Sequence, residues 1–147
     1  GSGEYQKYLE NNYNSFINKG WLHFYGDCFD DNKTSELIYH SDLCVSPGNI
    51  GLTAIHSLSY GTPVASHNNF NNQMPEVEAI IDGENGFLFE ENNSDDLANK
   101  IDNWFLNNPN LDKDVIRKII LDKYNPKYQM RIFNDTIIKL SDSISKS

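Results

Sequence analysis

The stretch best equipped for chemistry is the loop 47–53, Pro47-Gly48-Asn49-Ile50-Gly51-Leu52-Thr53. Gly48 and Gly51 allow a ligand to approach the main chain, and a helix opening at Leu52 or Thr53 directs free amide groups outward with partial positive charge. That arrangement holds phosphate oxygens, so a diphosphate is the ligand the pattern suits, with a plain structural turn as the alternative. His56 lies one turn further on, between Ile55 and Leu58, and reads as a core histidine with its ring nitrogens satisfied. His23, His40 and His67 have no metal-ligand spacing with it, so no metal site is expected. The run His67-Asn68-Asn69-Phe70-Asn71-Asn72-Gln73 is too polar for a sheet interior. It is either a surface loop or a set of amides for sugar hydroxyls, with Asn69, Asn72 and Gln73 as candidates, because each carboxamide offers donor and acceptor together.

Paired carboxylates for acid and base work are not apparent. Glu76 and Glu78 suit a helix start, Asp95 and Asp96 another, and Asp82, Glu84, Glu90 and Glu91 read as solvated turns. There is no nucleophile elbow, no Walker lysine and no complete Gly-x-Gly-x-x-Gly. An enzyme built from these residues works by binding and positioning.

The elements that must position the loop are legible around it. Leu43 to Ser46 is a short apolar run, Thr53 to Tyr60 has helical length, Gly61 ends that helix, and Pro63 to Ser66 is a second apolar run. Strand, glycine loop, helix and strand form the unit of parallel sheets, with the loop at the carboxyl end of the first strand, where ligands bind. Upstream, the spacing of Tyr5, Tyr8, Leu9, Phe16 and Ile17 predicts a helix over 4–19, and 21–25 has strand character. Residues 30–33 read as a loop, with Thr34 or Ser35 capping a short helix that carries Leu37, Ile38 and Tyr39. Downstream, Pro75 opens a helix that buries Val77, Ile80 and Ile81, and 87–89 forms a last strand. Ser94 starts a helix striped by Leu97, Ile101, Trp104 and Phe105. Helices over 112–124 and from Pro126, with Met130, Phe133, Ile137 and Leu140, complete the chain, and residues 141–147 are expected to fray. Strands alternating with helices give an α/β layered fold.

The chain has 147 residues, enough for one domain, and a formal charge of −9 from 12 basic and 21 acidic residues. That balance disfavours a nucleic-acid partner, whose phosphates demand a basic field. Cys28 and Cys44 make neither a disulfide framework nor a metal set, which points to a reducing, cytoplasmic setting. No run is long and apolar enough to span a bilayer.

Taken in order, four pieces become specific together: Ser41-Asp42-Leu43-Cys44-Val45-Ser46-Pro47, Gly61-Thr62-Pro63-Val64, Met74-Pro75-Glu76-Val77 and Asp82-Gly83-Glu84-Asn85-Gly86-Phe87-Leu88. They resemble the donor-binding, C-terminal domain of retaining glycosyltransferases of the GT-B fold, the group 1 or family 4 type. The resemblance runs from Gly1 and fades after Phe133. It implies a Rossmann-like parallel sheet flanked by helices, residues 1–147 forming a nucleotide-sugar-binding domain that is partial, with the N-terminal acceptor domain absent. Gly1-Ser2-Gly3 is then either a tag remnant or the glycine turn after a lost strand.

The implied function is transfer of a sugar from a nucleotide-diphosphate donor to a saccharide or lipid-linked acceptor, with no cofactor and no metal. The rivals are a non-catalytic binding or interaction domain of the same fold and an unrelated flavodoxin-like module, which the lack of an acidic cluster or flavin loop disfavours. The backbone of Gly48, Asn49, Ile50, Gly51, Leu52 and Thr53 would contact the donor. The family places two glutamates eight apart around this loop, where this chain has Gly48 and His56. Gly48 offers no side chain, whereas His56 can still bond a ribose hydroxyl. The family's basic phosphate-binding residues lie upstream of this segment, so the chain alone is expected to be inactive. A cytoplasmic location, peripheral to the inner face of the membrane through the missing half, completes the expectation.

Overall fold

The computed structural model describes residues 3–144, side chains included except that of residue 142. The chain divides into two compact units, Gly1–Leu37 and Ile38–Ser147. Gly1 and Ser2 of the expected glycine turn, and the last three residues of the expected frayed tail, lie outside the described residues.

In the first unit, the helix expected over 4–19 is two helices, α1 (Gln6–Asn12) and α2 (Asn14–Asn18), with Tyr13 between them at φ −110° and ψ 17°. The break falls in a run of asparagines, whose side chains compete for the backbone, as Asn12 does in donating to the Tyr8 carbonyl at 2.7 Å. Residues 21–25 form no strand, and Trp21 is 73% exposed. β character in side chains is insufficient without a ladder, and among the described residues this unit holds no strand to supply one.

Helix α3 (Asp31–His40) begins earlier than expected, converting the anticipated 30–33 loop into its first turn. Asp30 is the cap, its Oδ1 accepting from the amides of Asn32 at 2.9 Å and Lys33 at 3.2 Å. Thr34 and Ser35 sit inside the helix instead, donating to Cys28 Sγ and the Asn32 carbonyl.

The second unit is the expected α/β layer. Strands β1 (Cys44–Ser46), β2 (Val64–His67) and β3 (Gly86–Phe89) lie parallel in that order. The central strand β2 is buried at every residue. Val64 joins a cluster with Ile50, Ala54, Leu58, Val77, Ile80, Ile116 and Ile120, while Ala65 joins Phe87, Phe89 and Trp104. This alternation places helices α4 (Leu52–Ser59) and α6 (Lys113–Lys123) with the first cluster and α5 (Ser94–Asn107) with the second.

Gly61 ends α4 at φ +75°, as the sequence suggests, and it has a second reason to be glycine: an added Cβ would meet the Lys113 carbonyl at 2.4 Å. Pro75 begins a short 3-10 helix, Pro75–Ala79, in which Val77 and Ala79 are buried. Ile80 is buried just past its end, and Ile81 is half-buried. Helix α5 begins at Ser94, as the sequence suggests, and the caps of α5 and α6 are Asn93 and Asp112. The Lys113 ammonium closes the end of α3, donating to the carbonyls of Tyr39 and Ser41 and standing 5.2 Å over the Tyr39 ring. Helix α7 (Pro126–Ile144) keeps its apolar stripe in the open, with Met130, Phe133, Ile137 and Leu140 each between 58% and 66% exposed. Among the described residues no helix is long and apolar enough to cross a membrane.

Candidate functional site at the carboxyl edge of the sheet

Three loops leave the carboxyl ends of β1, β2 and β3, and hydrogen bonds tie each to the next. Gln73, after β2, reaches the β1 loop, its Oε1 accepting from the Ile50 amide at 2.8 Å. Asn69 and Asn72, also after β2, donate their side-chain amides to Glu91, after β3, at 2.6 and 3.0 Å. The edge is therefore one connected surface built on parallel strands, the place where such sheets bind ligands.

Within the β1 loop the six residues singled out by sequence part into three kinds. Gly48 and Asn49 are exposed, and a Cβ on Gly48 would meet nothing within 4 Å, so no steric demand makes this residue glycine. Ile50 turns inward: its side chain is buried in the main cluster and its amide belongs to Gln73. Gly51, Leu52 and Thr53 open α4 with no side-chain cap, and their amides have no hydrogen-bond partner among the described residues. The first amide used inside the helix is that of Ala54, which donates to the Gly51 carbonyl at 2.9 Å. Three adjacent N–H groups at the positive end of a helix, beside exposed Leu52, suit an anionic oxygen ligand.

His56 is exposed, not a core residue, and its ring has no hydrogen-bond partner among the described residues. It follows Thr53 by three positions and Leu52 by four, so it shares their face of α4, and helical side chains lean toward the N-terminus. The core histidine is His67, 1% exposed at the end of β2. Its Nδ1 accepts from the Asn69 amide at 3.3 Å, and its Nε2 stands 3.9 Å from Glu91 Oε1.

The carboxamides Asn69, Asn72 and Gln73 are all engaged within the protein. Asn69 Oδ1 accepts from the Asn71 amide and Gln73 Oε1 from Ile50, whereas Asn72 Oδ1 accepts nothing among the described residues. The two amides that donate to Glu91, Asn69 first and Asn72 second, with the nearby His67 contributing least, hold its carboxyl below the ordinary glutamate range. Sequence reading placed Glu91 in a solvated turn, Ser66 at the end of an apolar run and His67 at the head of the polar run, and gave none of the three a role at the site. The regularity of the carboxamide run was the available signal, but it does not say what the amides bind.

A groove of about 420 Å³ lined by Asp42, Trp104, Asn108 and Lys113 lies away from the carboxyl edge. Asp42 precedes β1, and the neighbouring groove is lined by Asp82 and Gly83, which precede β3, so these depressions sit where strands begin. Among the described residues no group of three or more His, Cys, Asp or Glu side chains could hold a metal ion.

Residues 1–121 match the family described as glycosyl transferases group 1. No curated protein matches the chain in sequence. Among solved structures, sucrose-phosphate synthase from Thermosynechococcus elongatus is similar at a TM-score of 0.67 and 20% identity, over 96% of this chain and 35% of that one. HepE of Anabaena, solved in complex with UDP, is similar at a TM-score of 0.59 and 20% identity, over 95% of this chain and 38% of that one. At such identity the likeness is one of fold, and the chain spans little more than a third of the length of either neighbour, 35% and 38%.

Proposed function

The chain belongs to the glycosyl transferases of group 1, and on that premise we propose that it is the donor-binding part of a sugar transferase that retains anomeric configuration. The donor is a nucleotide-diphosphate sugar, and the acceptor, a saccharide or lipid-linked saccharide, is held by a partner half of the GT-B fold. The observation that carries this reading is the set of amides of Gly51, Leu52 and Thr53, without partners among the described residues, at the head of α4 on the carboxyl edge of a parallel sheet. Helix-end amides there bind the diphosphate and stabilise the charge it gains as the sugar leaves. The UDP bound by HepE supports a nucleoside diphosphate as the ligand class. His56 bonds a ribose hydroxyl, and Asn72 Oδ1, which accepts nothing among the described residues, is the carboxamide atom available to a sugar hydroxyl. The reaction uses neither metal nor cofactor, and the enzyme works at the cytoplasmic side.

Gly48 favours a second reading. Where the family carries a glutamate, this residue supplies no side chain, which suits a domain that binds a nucleotide without transferring sugar. Calorimetric titration of the chain with UDP and GDP tests the proposal. Binding of either is expected, with His56→Ala weakening it about three- to tenfold, the worth of one hydrogen bond. Binding of neither overturns it.

A further inference from the structure

We propose that Gln73 is a positioning residue that fixes where the diphosphate-binding amides point, an inference that rests on the donor-binding reading above. Its carboxamide is half-buried and makes three hydrogen bonds: Oε1 accepts from the Ile50 amide at 2.8 Å, and Nε2 donates to Ser66 Oγ and to the His67 carbonyl, each at 2.9 Å. The orientation of the amide is forced. An N–H can only donate and a carbonyl can only accept, so the opposite rotamer would set donor against donor and acceptor against acceptor.

Ser66 extends the tie. It is fully buried, and having accepted from Gln73 it has one hydrogen for the carbonyls of Ser46 at 3.2 Å and Gly48 at 3.4 Å. The glycine loop is thus fastened near its start through Ser66 and near its end through Ile50, in both cases to the end of the central strand. Between the fastenings Asn49 is exposed and has no hydrogen bond among the described residues.

Ile50 is the pivot of the arrangement. Its side chain is locked in the core, its amide is held by Gln73, and the next residue begins the row of three open N–H groups. Loss of the Gln73 acceptor leaves a buried N–H unpaired. The least costly relief is a turn of the loop that exposes this amide to water, and that turn carries the adjacent Gly51 amide away from its ligand. Gln73 touches no ligand in this account, so its effect is confined to the part of the donor that the amides hold.

The test is titration of the chain and of Gln73→Met, which keeps the length of the side chain and removes its polar atoms, with UDP and with uridine, followed by amide NMR. UDP affinity is expected to fall about tenfold or more while uridine affinity stays within about twofold, because only the diphosphate depends on the loop. The Ile50 amide should also exchange faster with solvent. Ser66→Ala, a small change at a buried site, should produce a weaker version of the same selective loss and guards against misfolding of the first variant. A folded Gln73→Met that binds UDP as the unaltered chain does would overturn the inference, as would an equal loss for UDP and uridine, which marks a general scaffold role. If the unaltered chain binds neither UDP nor GDP, the donor-binding reading fails and takes this inference with it; that failure is read before any substitution is made.

Discussion

Gly61 is under two independent constraints, a left-handed backbone and the Lys113 carbonyl 2.4 Å from where a Cβ would stand. Either alone disfavours a side chain, and together they leave no relaxed alternative. Gly61→Ala is therefore expected to lower stability by at least about 2 kcal/mol, measurable by urea unfolding. Glu91 supplies a prediction in pH. Because its folded-state pKa is depressed by the Asn69 and Asn72 amides, its contribution is whole above the ordinary glutamate value of about 4.3 and is lost as pH falls through the lower folded value. The side-chain amide resonances of Asn69 and Asn72 should therefore shift together on acidification, at a pH below the ordinary glutamate value. Glu91→Gln should abolish that step, and its persistence in the variant would remove Glu91 as the cause.

At the scale of elements, the strands and helices around the site were legible because each has a local signature: short apolar runs for β1 and β2, a glycine stop for α4, apolar stripes with polar starts for α5 and α6. The 21–25 segment was misread because strand formation is decided by a neighbour that local residues cannot announce. The start of α3 was missed for a smaller reason, since Asp30 and Thr34 are both good caps and only geometry chooses between them. In the site, the open end of α4 could be inferred from glycine spacing. The inward amide of Ile50 could not, because its partner Gln73 is remote in sequence and looks like any other carboxamide of its run. Gly86 decides the fit of β3 against β2, as an added Cβ would come within 1.9 Å of the Val64 carbonyl. Gly86→Ala should break this pairing, and loss of protection of the Val64–His67 amides in hydrogen exchange would report it; retained protection would show that the sheet can absorb the methyl group.

For the whole molecule, the distribution of apolar surface separates what holds the second unit together from what does not. Its core joins the sheet to α4, α5 and α6, whereas the stripe of α7 contributes little buried area. Replacing Phe133 and Ile137 together by lysine should thus change the midpoint of thermal unfolding by no more than a few degrees, since exposed substitutions cost within about 0.5 kcal/mol each. A fall much beyond that would mean that α7 is integral to the unit. Net negative charge makes the open helix end the more telling feature, because an anion can be held here by backbone dipoles without a basic field around them. The most direct measurement is therefore an amide NMR titration of the chain with UDP. The Gly51, Leu52 and Thr53 resonances should move together and saturably, with Ile50, already bonded to Gln73, moving least. Shifts that leave those three amides untouched, or that gather instead around Trp104 and Asn108, would contradict the account.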